Sequence, residues 1–304
     1  MSQLAVLVAT HNGALFLENL LDSVLSQTLQ GIIFVRDDRS DDYTPEILSS
    51  RSDQLVLLND RLGNVGIVEN FNILAKATDA SYLAFADQDD IWEVDKLAAQ
   101  MELMFRMEAQ YGEDMPVLIH SDLAVCDSCL NVVDSSLWRF QRLNPNVQSF
   151  SRLLVQNNVT GCTMLINKTL KNLAFPVPKG VVMHDWWLAL VASAVGKIGF
   201  VSRPLVRYRQ HDANQLGAVR SDLKGAIKRL NNTNPQSSLG AAQRQAQAFC
   251  ECFNMRKDMA DALNLADVYA KIHAKSYAQR LWSLYRYGFW KQDLLRNIGL
   301  VLYI

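Results

Sequence analysis

The chain has 304 residues, of which 49% are hydrophobic and 20% charged, and its formal net charge is −1. This composition is typical of a folded globular protein and excludes a disordered or collagen-like chain. Since no apolar run approaches the roughly 18–20 residues that a membrane span requires, no transmembrane helix is predicted.

Strand and helix patterns alternate through residues 1–126. Buried-strand patterns occupy Leu4–Thr10, 32–35, 55–58, 82–86 and 117–125, and helical spacing of apolar residues occupies 15–25, 67–77 and 94–107. Strand–helix–strand repetition at this spacing predicts right-handed crossovers and a parallel sheet that is covered on both faces.

The rest of the chain changes character in two steps. Residues 157–211 mix short strands at 163–166 and 205–209 with an aromatic helix at 186–195. Beyond Val219 the pattern is helical, with a polar linker at 231–238. We therefore expect an α/β domain over 1–217 and a basic helical region over 218–304.

Polar side chains follow three of the predicted strands at the point where each strand ends. They are Thr10 with its two neighbours, Asp37 with Asp38, and the run from Asp87 to Asp90. Ligands of parallel α/β sheets bind at the carboxyl ends of the strands, so these side chains are expected to share one site.

Asp87-Gln88-Asp89 forms a D-x-D motif directly after an apolar strand. Two hard carboxylates one residue apart can share Mg²⁺ or Mn²⁺ and leave positions open for substrate phosphates. The glycine-rich dinucleotide fingerprint and the phosphate loop with its lysine are both absent from the first turn, which reads HNGALFLEN. Hydride transfer and phosphate-loop chemistry are therefore disfavoured.

The near-neutral net charge hides two opposite halves. Residues 1–134 carry 7 basic and 23 acidic side chains, a net of −16, and residues 135–304 carry 23 basic and 8 acidic, a net of +15. The acidic half suits a divalent cation, and the basic half suits phosphates or an anionic membrane. Two solvated surfaces of opposite sign are the alternative.

Seven segments in order along the chain carry a family resemblance: VATHNG, VRDDRSDD, NVGIVENFN, FADQDDIW, TGCTMLIN, HDWW and YRQH. They resemble family 2 of the inverting glycosyltransferases, and within it the bacterial rhamnosyltransferase branch of surface-polysaccharide assembly. The resemblance covers residues 4 to about 217. It implies the GT-A fold, a Rossmann-like mixed, mostly parallel sheet flanked by helices, here with a C-terminal helical extension.

The resemblance also implies roles for individual residues. The nucleotide-binding positions are Thr10, Asp38, Asn64, Gly66, Asn70 and Asp87. Asp89, with Asp87 and His211, matches the metal ligands, and Asp185 in HDWW matches the general base. His11 stands where the family usually has tyrosine, and Arg39 where a small residue is usual.

The required chemistry agrees with these roles. Transfer from a nucleotide sugar needs a neutralised diphosphate leaving group, which a divalent metal provides, and a carboxylate that accepts the proton of the acceptor hydroxyl. One displacement driven by one base inverts the anomeric centre. Apolar neighbours would raise the pKa of Asp185 and make it a stronger base, whereas its alternative role is that of a helix cap.

Two further sets of side chains have open interpretations. Arg207 and Arg209 alternate along one strand and suit the diphosphate, beside His211, whose alternative is a surface histidine. Trp92, Trp186 and Trp187 either stack on sugar rings or pack in the core.

The last 34 residues combine positive charge with large apolar side chains. Residues 271–304 hold six basic residues against Asp293, among tyrosines, tryptophans and leucines. Such a pattern predicts helices that lie on an anionic membrane surface, with packing onto the protein or a homodimer contact as alternatives. The basic and aromatic residues come with no nucleic-acid motif, so no nucleic-acid partner is expected.

The combined expectation is a metal-dependent inverting glycosyltransferase. It would transfer L-rhamnose from dTDP-β-L-rhamnose to a lipid-linked glycan acceptor at the cytoplasmic face of the cell membrane. An odd number of cysteines, five, and a start without a secretory pattern favour the cytoplasm. The competing readings are a UDP-hexose or UDP-N-acetylhexosamine donor, and a non-catalytic assembly protein that binds nucleotide sugars.

Overall fold

The computed structural model describes residues 4–211 and 235–304. In chain order its strands are β1 (Leu4–Thr10), β2 (Ile32–Asp37), β3 (Val56–Leu57), β4 (Tyr82–Asp87), β5 (Ile91–Trp92), β6 (Val117–Cys126), β7 (Val132–Asp134), β8 (Leu165–Asn167) and β9 (Lys197–Arg209). The first eight helices are α1 (Leu17–Leu25), α2 (Thr44–Ser50), α3 (Ile67–Lys76), α4 (Lys96–Tyr111), α5 (Leu137–Gln141), α6 (Phe150–Val155), α7 (Lys168–Ala174) and α8 (His184–Val195). Beyond residue 234 follow α9 (Pro235–Phe253), α10 (Ala260–Ala270), α11 (Tyr277–Tyr287) and α12 (Leu294–Tyr303).

All the described strands belong to one sheet, in the order β3-β2-β1-β4-β8-β6-β9-β5, with β7 paired to β6. Among the described residues four pairings are parallel and four are antiparallel. Every residue of β1 and of β6 is buried, as expected for strands covered on both faces. The expected mixed α/β sheet flanked by helices is therefore confirmed, with a larger antiparallel share than strand–helix repetition predicts.

The chain forms two compact units that interleave in sequence. The first contains Met1–Ser136, Thr160–Val177 and the strand that begins at Lys197, and it holds the whole sheet. The second contains Leu137–Val159, Pro178–Gly196 and residues 235–304. A single cut at residue 217 therefore differs from this grouping, because two segments before that point belong to the second unit.

The second unit is built from helices around an aromatic core. Trp187 of α8 stacks on Phe253 at a centroid distance of 5.7 Å, and Phe249 lies 4.8 Å from Phe150 of α6. Three segments distant in sequence meet in this cluster. None of the helices within residues 4–211 and 235–304 is long and apolar enough to cross a bilayer.

One helix was not predicted, and one expectation about local structure was wrong. Helix α2 begins at Thr44, with Pro45 in its first turn, where proline is well tolerated. Helix α9 begins at Pro235, within the stretch predicted as a polar linker at 231–238. The predicted helix beyond Val219 and the start of that linker lie outside the described residues.

Candidate active site

The carboxyl ends of β1, β2 and β4 meet at one edge of the sheet. Strand β1 lies between the other two in parallel register, with Thr10 opposite Asp37 and Ala9 opposite Asp87. The backbone N–H of Asp38 donates to the carbonyl of Thr10 at 2.8 Å, one residue beyond the paired segment. The polar residues that follow these strands are thereby brought to one place, as the sequence predicts.

Gln88, the middle residue of the D-x-D motif, joins the end of β4 to the end of β1. Its Oε1 accepts from Thr10 Oγ1 at 2.8 Å and from the N–H of His11 at 2.7 Å, and its Nε2 donates to the carbonyl of His11 at 2.9 Å. A Cβ atom on Gly13 would lie 2.6 Å from Gln88 Oε1, so this glycine makes room for the amide. Sequence reasoning treated Gln88 as a spacer and missed this role.

The loop after β1 is also tied to the loop after β2. The N–H of Asn12 donates to Ser40 Oγ, and Asn12 Oδ1 accepts from the N–H of Asp41. The N–H of Ala14 donates to Asp42 Oδ2 at 3.0 Å. Asn12 adopts a left-handed φ of 50°, a conformation that asparagine tolerates better than most residues.

The carboxylate of Asp38 is buried and organises the loop before α3. It accepts from Arg36 at 2.7 Å, from the N–H of Val65 at 2.9 Å and from the N–H of Gly66 at 2.8 Å. Gly66 has a φ of +82°, which places it in the region that favours glycine. Asp38 therefore holds the predicted nucleotide loop in shape, and its own contact with the nucleotide stays a prediction.

The two asparagines of this loop and helix have different surroundings. Asn64 is exposed, and its Nδ2 lies 3.3 Å from His11 Nε2. Asn70 is buried and donates to the carbonyl of Arg36, while its Oδ1 has no hydrogen-bond partner within the described residues. The structure thus brings Thr10, Asp38, Asn64, Gly66 and Asn70 around the same pair of loops.

Asp89 meets the histidine that follows β9. His211 Nε2 lies 2.9 Å from Asp89 Oδ2, and the two residues are 122 positions apart in the chain. The ring of Phe16, just before α1, lies 4.8 Å from the His211 ring and positions it. Sequence reasoning missed Phe16, whose only signal is an aromatic residue next to the first strand–helix turn.

Asp87 lies in a second group, with Asp90 and Cys162. One ligand atom from each lies within 4.8 Å of the others, whereas Asp87, Asp89 and His211 do not form one such cluster in the described chain. Asp90 is fully buried, and this burial, followed by the negative charges of Asp89 and Asp87, raises its pKa well above its ordinary value.

These carboxylates are suited to a divalent cation. Asp90 Oδ2 is buried without a hydrogen-bond partner among the described residues, and the neighbouring carboxylates add repulsion that a cation would relieve. Carboxylate oxygens and an imidazole nitrogen are ligands that Mn²⁺ accepts, and Mg²⁺ prefers the oxygens. The donor set therefore fits a divalent cation, with Asp87 grouped with Asp90 and Asp89 paired with His211.

Arg207 and Arg209 of β9 are bound to the protein itself. Arg207 is exposed and pairs with Glu93 at 2.8 Å. Arg209 is buried, donates to the carbonyls of Asp89 at 3.0 Å and Ser128 at 2.8 Å, and lies over the Phe16 ring at 4.4 Å. Arg209 supports the D-x-D loop through these two carbonyls, and the diphosphate role expected of Arg207 and Arg209 stays a prediction.

Two of the three tryptophans for which sugar stacking and core packing were both open are core residues. Trp92 is 3% exposed with Lys96 Nζ over its ring, and Trp187 is 1% exposed within the aromatic cluster of the second unit. Neither has an open ring face, so of the two interpretations packing in the core holds for both. Trp186 is half-buried, and its indole N–H donates to the carbonyl of Leu153.

Asp185 lies in the second unit, in the first turn of α8. The residue that caps the helix is Met183, and Asp185 Oδ1 accepts from the N–H of Trp186 at 2.5 Å. Asp185 is half-buried. Its position is therefore not that of the helix cap, although its side chain does satisfy one N–H of the first turn.

Comparisons with known proteins agree with this geometry. A family model for glycosyl transferase family 2 matches residues 5–111. The dTDP-rhamnosyl transferase RfbG of Shigella flexneri is 31% identical over 246 residues, which cover 73% of this chain and 78% of that protein.

Solved structures share the fold at low sequence identity. Staphylococcus aureus TarS in complex with UDP-GlcNAc has a TM-score of 0.56 and 15% identity, and the match covers 98% of this chain and 90% of that chain. The mannosyltransferase PcManGT from Pyrobaculum calidifontis, in complex with GDP-Man and Mn²⁺, has a TM-score of 0.54 and 16% identity, covering 99% and 87%. The chain therefore has the GT-A fold and belongs to glycosyl transferase family 2.

Proposed function

We propose that this glycosyltransferase transfers L-rhamnose from dTDP-β-L-rhamnose, with inversion, to a lipid-linked glycan acceptor. The observation that carries the proposal is the single edge at which the loops after β1, β2 and β4 are hydrogen-bonded together, with Asp87 and Asp89 at its end. The choice of donor rests on the similarity to the dTDP-rhamnosyl transferase of Shigella flexneri.

The nucleotide would occupy the two loops that Asp38 organises. Thr10 and Asp38 lie at adjacent strand ends, and Asn64, Gly66 and Asn70 follow on the loop and helix beside them. The exposed Asn64 can donate or accept, whereas Asn70 is buried beside it and supports the loop through the carbonyl of Arg36. Asp87, which lies opposite Ala9 at the end of the neighbouring strand β4, would contact the ribose or the metal.

Asp89, Asp87 and His211 would hold Mg²⁺ or Mn²⁺. When bound, the cation supplies positive charge that stabilises the leaving diphosphate. Arg209 keeps the Asp89 carbonyl in place, and Phe16 orients the imidazole of His211. These contacts set the direction in which the ligand atoms point before a substrate arrives.

Asp185 would act as the general base. Its carboxylate accepts the proton of the acceptor hydroxyl while the hydroxyl oxygen bonds to the anomeric carbon and the bond to the diphosphate oxygen breaks. Attack on the face opposite to the leaving group inverts that carbon. The hydrogen bond from the N–H of Trp186 orients the carboxylate of Asp185 at the start of α8.

The test compares two matched variants, Asp185→Asn and Asp261→Asn. Each removes one negative charge from the first turn of a helix in the second unit, since Asp261 opens α10 as Asp185 opens α8. We expect Asp185→Asn to lower kcat by about 10²–10⁴-fold with an unchanged Kd for the nucleotide, because it removes only proton transfer. Asp261→Asn should retain activity.

Transfer is measured over a panel of dTDP-rhamnose, UDP-hexoses and UDP-N-acetylhexosamines, with the metal removed by chelation and restored with Mn²⁺. Full activity of Asp185→Asn would refute the assignment of the base. Turnover with a UDP-sugar alone would refute the rhamnose donor, and activity that survives chelation would refute the metal requirement.

A further inference from the structure

Helix α12 presents an apolar stripe to solvent. Leu294, Ile298 and Leu302 follow one another at intervals of four residues, so they share one face of the helix, and they are 74%, 50% and 69% exposed. On the other side, Leu300 is buried and the side chain of Asn297 bonds to the backbone of Lys291. A surface helix ordinarily turns its apolar stripe inward, so the outward stripe requires a partner.

Helix α11 also carries exposed aromatic side chains. Trp282 and Tyr285 are among its exposed residues. Tyr277, at its start, donates from its hydroxyl to the carbonyl of Val301 at 3.1 Å, which places it beside the end of the α12 stripe. We call Tyr277, Trp282, Tyr285, Leu294, Ile298 and Leu302 the outer face.

The outer face belongs to a segment with an excess of basic residues. Residues 271–304 contain six basic residues, and their one acidic residue, Asp293, is buried and lies 3.7 Å from Arg142. Lys271 pairs with Asp267, and Arg280 donates to three backbone carbonyls. Arg286 is exposed next to Tyr285. A second copy of the chain docking on the same face would bring like charges together, whereas an anionic surface would neutralise them.

We propose that the outer face docks in the plane of an anionic phospholipid bilayer. Tyrosine and tryptophan are the residues favoured at the headgroup level, and the leucine–isoleucine stripe would reach the acyl boundary below. Membrane docking is argued without the proposed function. It rests on that function only for its biological role, which would be to keep the enzyme beside a lipid-linked acceptor.

The test measures co-sedimentation with lipid vesicles in the absence of donor and acceptor. Vesicles of phosphatidylcholine are compared with vesicles that also contain roughly 30% phosphatidylglycerol, at low and high salt. The variant Leu294→Gln/Ile298→Gln/Leu302→Gln removes the stripe. The matched control Val132→Gln/Val133→Gln removes similarly exposed apolar residues of β7, in the first unit.

We expect the protein to bind the anionic vesicles, less so at high salt, and the stripe variant to bind at least about tenfold more weakly than the control. Equal binding of the stripe variant, equal binding to neutral vesicles, or no binding would each overturn the proposal. A dimer that the stripe variant abolishes would assign the face to a second copy. Donor hydrolysis, unaffected by the stripe variant, reports separately on the proposed function.

Discussion

The amide of Gln88 shows how a single side chain decides the shape of the site. Placed between two candidate metal ligands, it bonds backward to Thr10 and His11 rather than outward. The sequence motif predicts the carboxylates on both sides because their chemistry is explicit. It does not predict the role of Gln88, since the partners of this amide depend on which strand end lies beside the end of β4.

Gly13→Ala should disturb this arrangement through contact with Gln88. The new Cβ would lie 2.6 Å from Gln88 Oε1, and the amide can move away only by giving up its hydrogen bonds, at a cost of about 1–3 kcal/mol of the free energy of unfolding. Gly63→Ala is the control, because the nearest atom to its Cβ would be 3.6 Å away. Urea denaturation measures both.

A double-mutant cycle isolates the contact. In a Gln88→Ala background the Gly13→Ala change should cost much less, because the two atoms nearest to the new Cβ, both of Gln88, are gone. A cost that is the same in both backgrounds would show that the glycine is needed for another reason.

Asn167 illustrates the element scale, because one side chain joins four elements at the end of β8. Its Oδ1 accepts from the N–H of Leu170 at the start of α7 and from the N–H of Val117 at the start of β6. Its Nδ2 donates to Glu108 of α4 and to the carbonyl of Met115. Helix α7 follows β8 without a loop, and this side chain is what caps it.

Asn167→Ala should lower the free energy of unfolding by about 2–4 kcal/mol, because it leaves two buried backbone N–H groups and a buried carboxylate without this partner. Asn172→Ala, on the exposed side of the same helix, should change it by less than about 0.5 kcal/mol. Thermal and urea denaturation of the two variants check this. Similar values for both would mean that the cap contributes little.

Long elements of uniform character could be predicted from the sequence, and short ones could not. Strand β1 has its predicted bounds, and α1, α3 and β6 begin or end within two residues of theirs, because buried runs and helical spacing are local signals. Strands of two residues, such as β3 and β5, exist through pairing with β2 and β9, which no local pattern records. The role of Arg209 depends likewise on carbonyls far away in sequence.

At the scale of the whole molecule, each unit contains one buried histidine. Burial lowers the pKa of His120 in β6 and of His184 in α8 to about 3, against an ordinary value of 6.5. Both are therefore neutral in the folded protein at neutral pH, whereas the unfolded chain takes up their protons below about pH 6.5.

Stability should fall as the pH is lowered from 6.5 towards 3, and be unaffected by these groups above 6.5. The unfolded state binds more protons in that window, so each histidine contributes about 1.4 kcal/mol per pH unit as an upper bound. His120→Gln and His184→Gln, measured by urea denaturation between pH 5 and 7, should each show a shallower slope than the wild-type protein. Unchanged slopes in both would refute the contribution.

The acidic part of the chain coincides with the first segment of the unit that holds the sheet. The acidic half ends at residue 134, close to Ser136, where the first segment of the sheet unit ends. The later segments return to that unit to supply β8, β9 and His211. The charge boundary could be predicted from the sequence. That β8 and β9 belong to the same sheet could not, since their place in it is defined by long-range strand pairing.

The contact between His211 and Asp89 has a consequence for the order of biosynthesis. Thr10 and Gln88 are 78 residues apart, whereas the histidine is 122 residues beyond its carboxylate and follows the last strand of the sheet. A nascent chain can complete the edge formed by β1, β2 and β4 early. The pairing of β9 with β6 must come later, so an unfinished polypeptide still lacks His211, the imidazole partner of Asp89 at the proposed metal site.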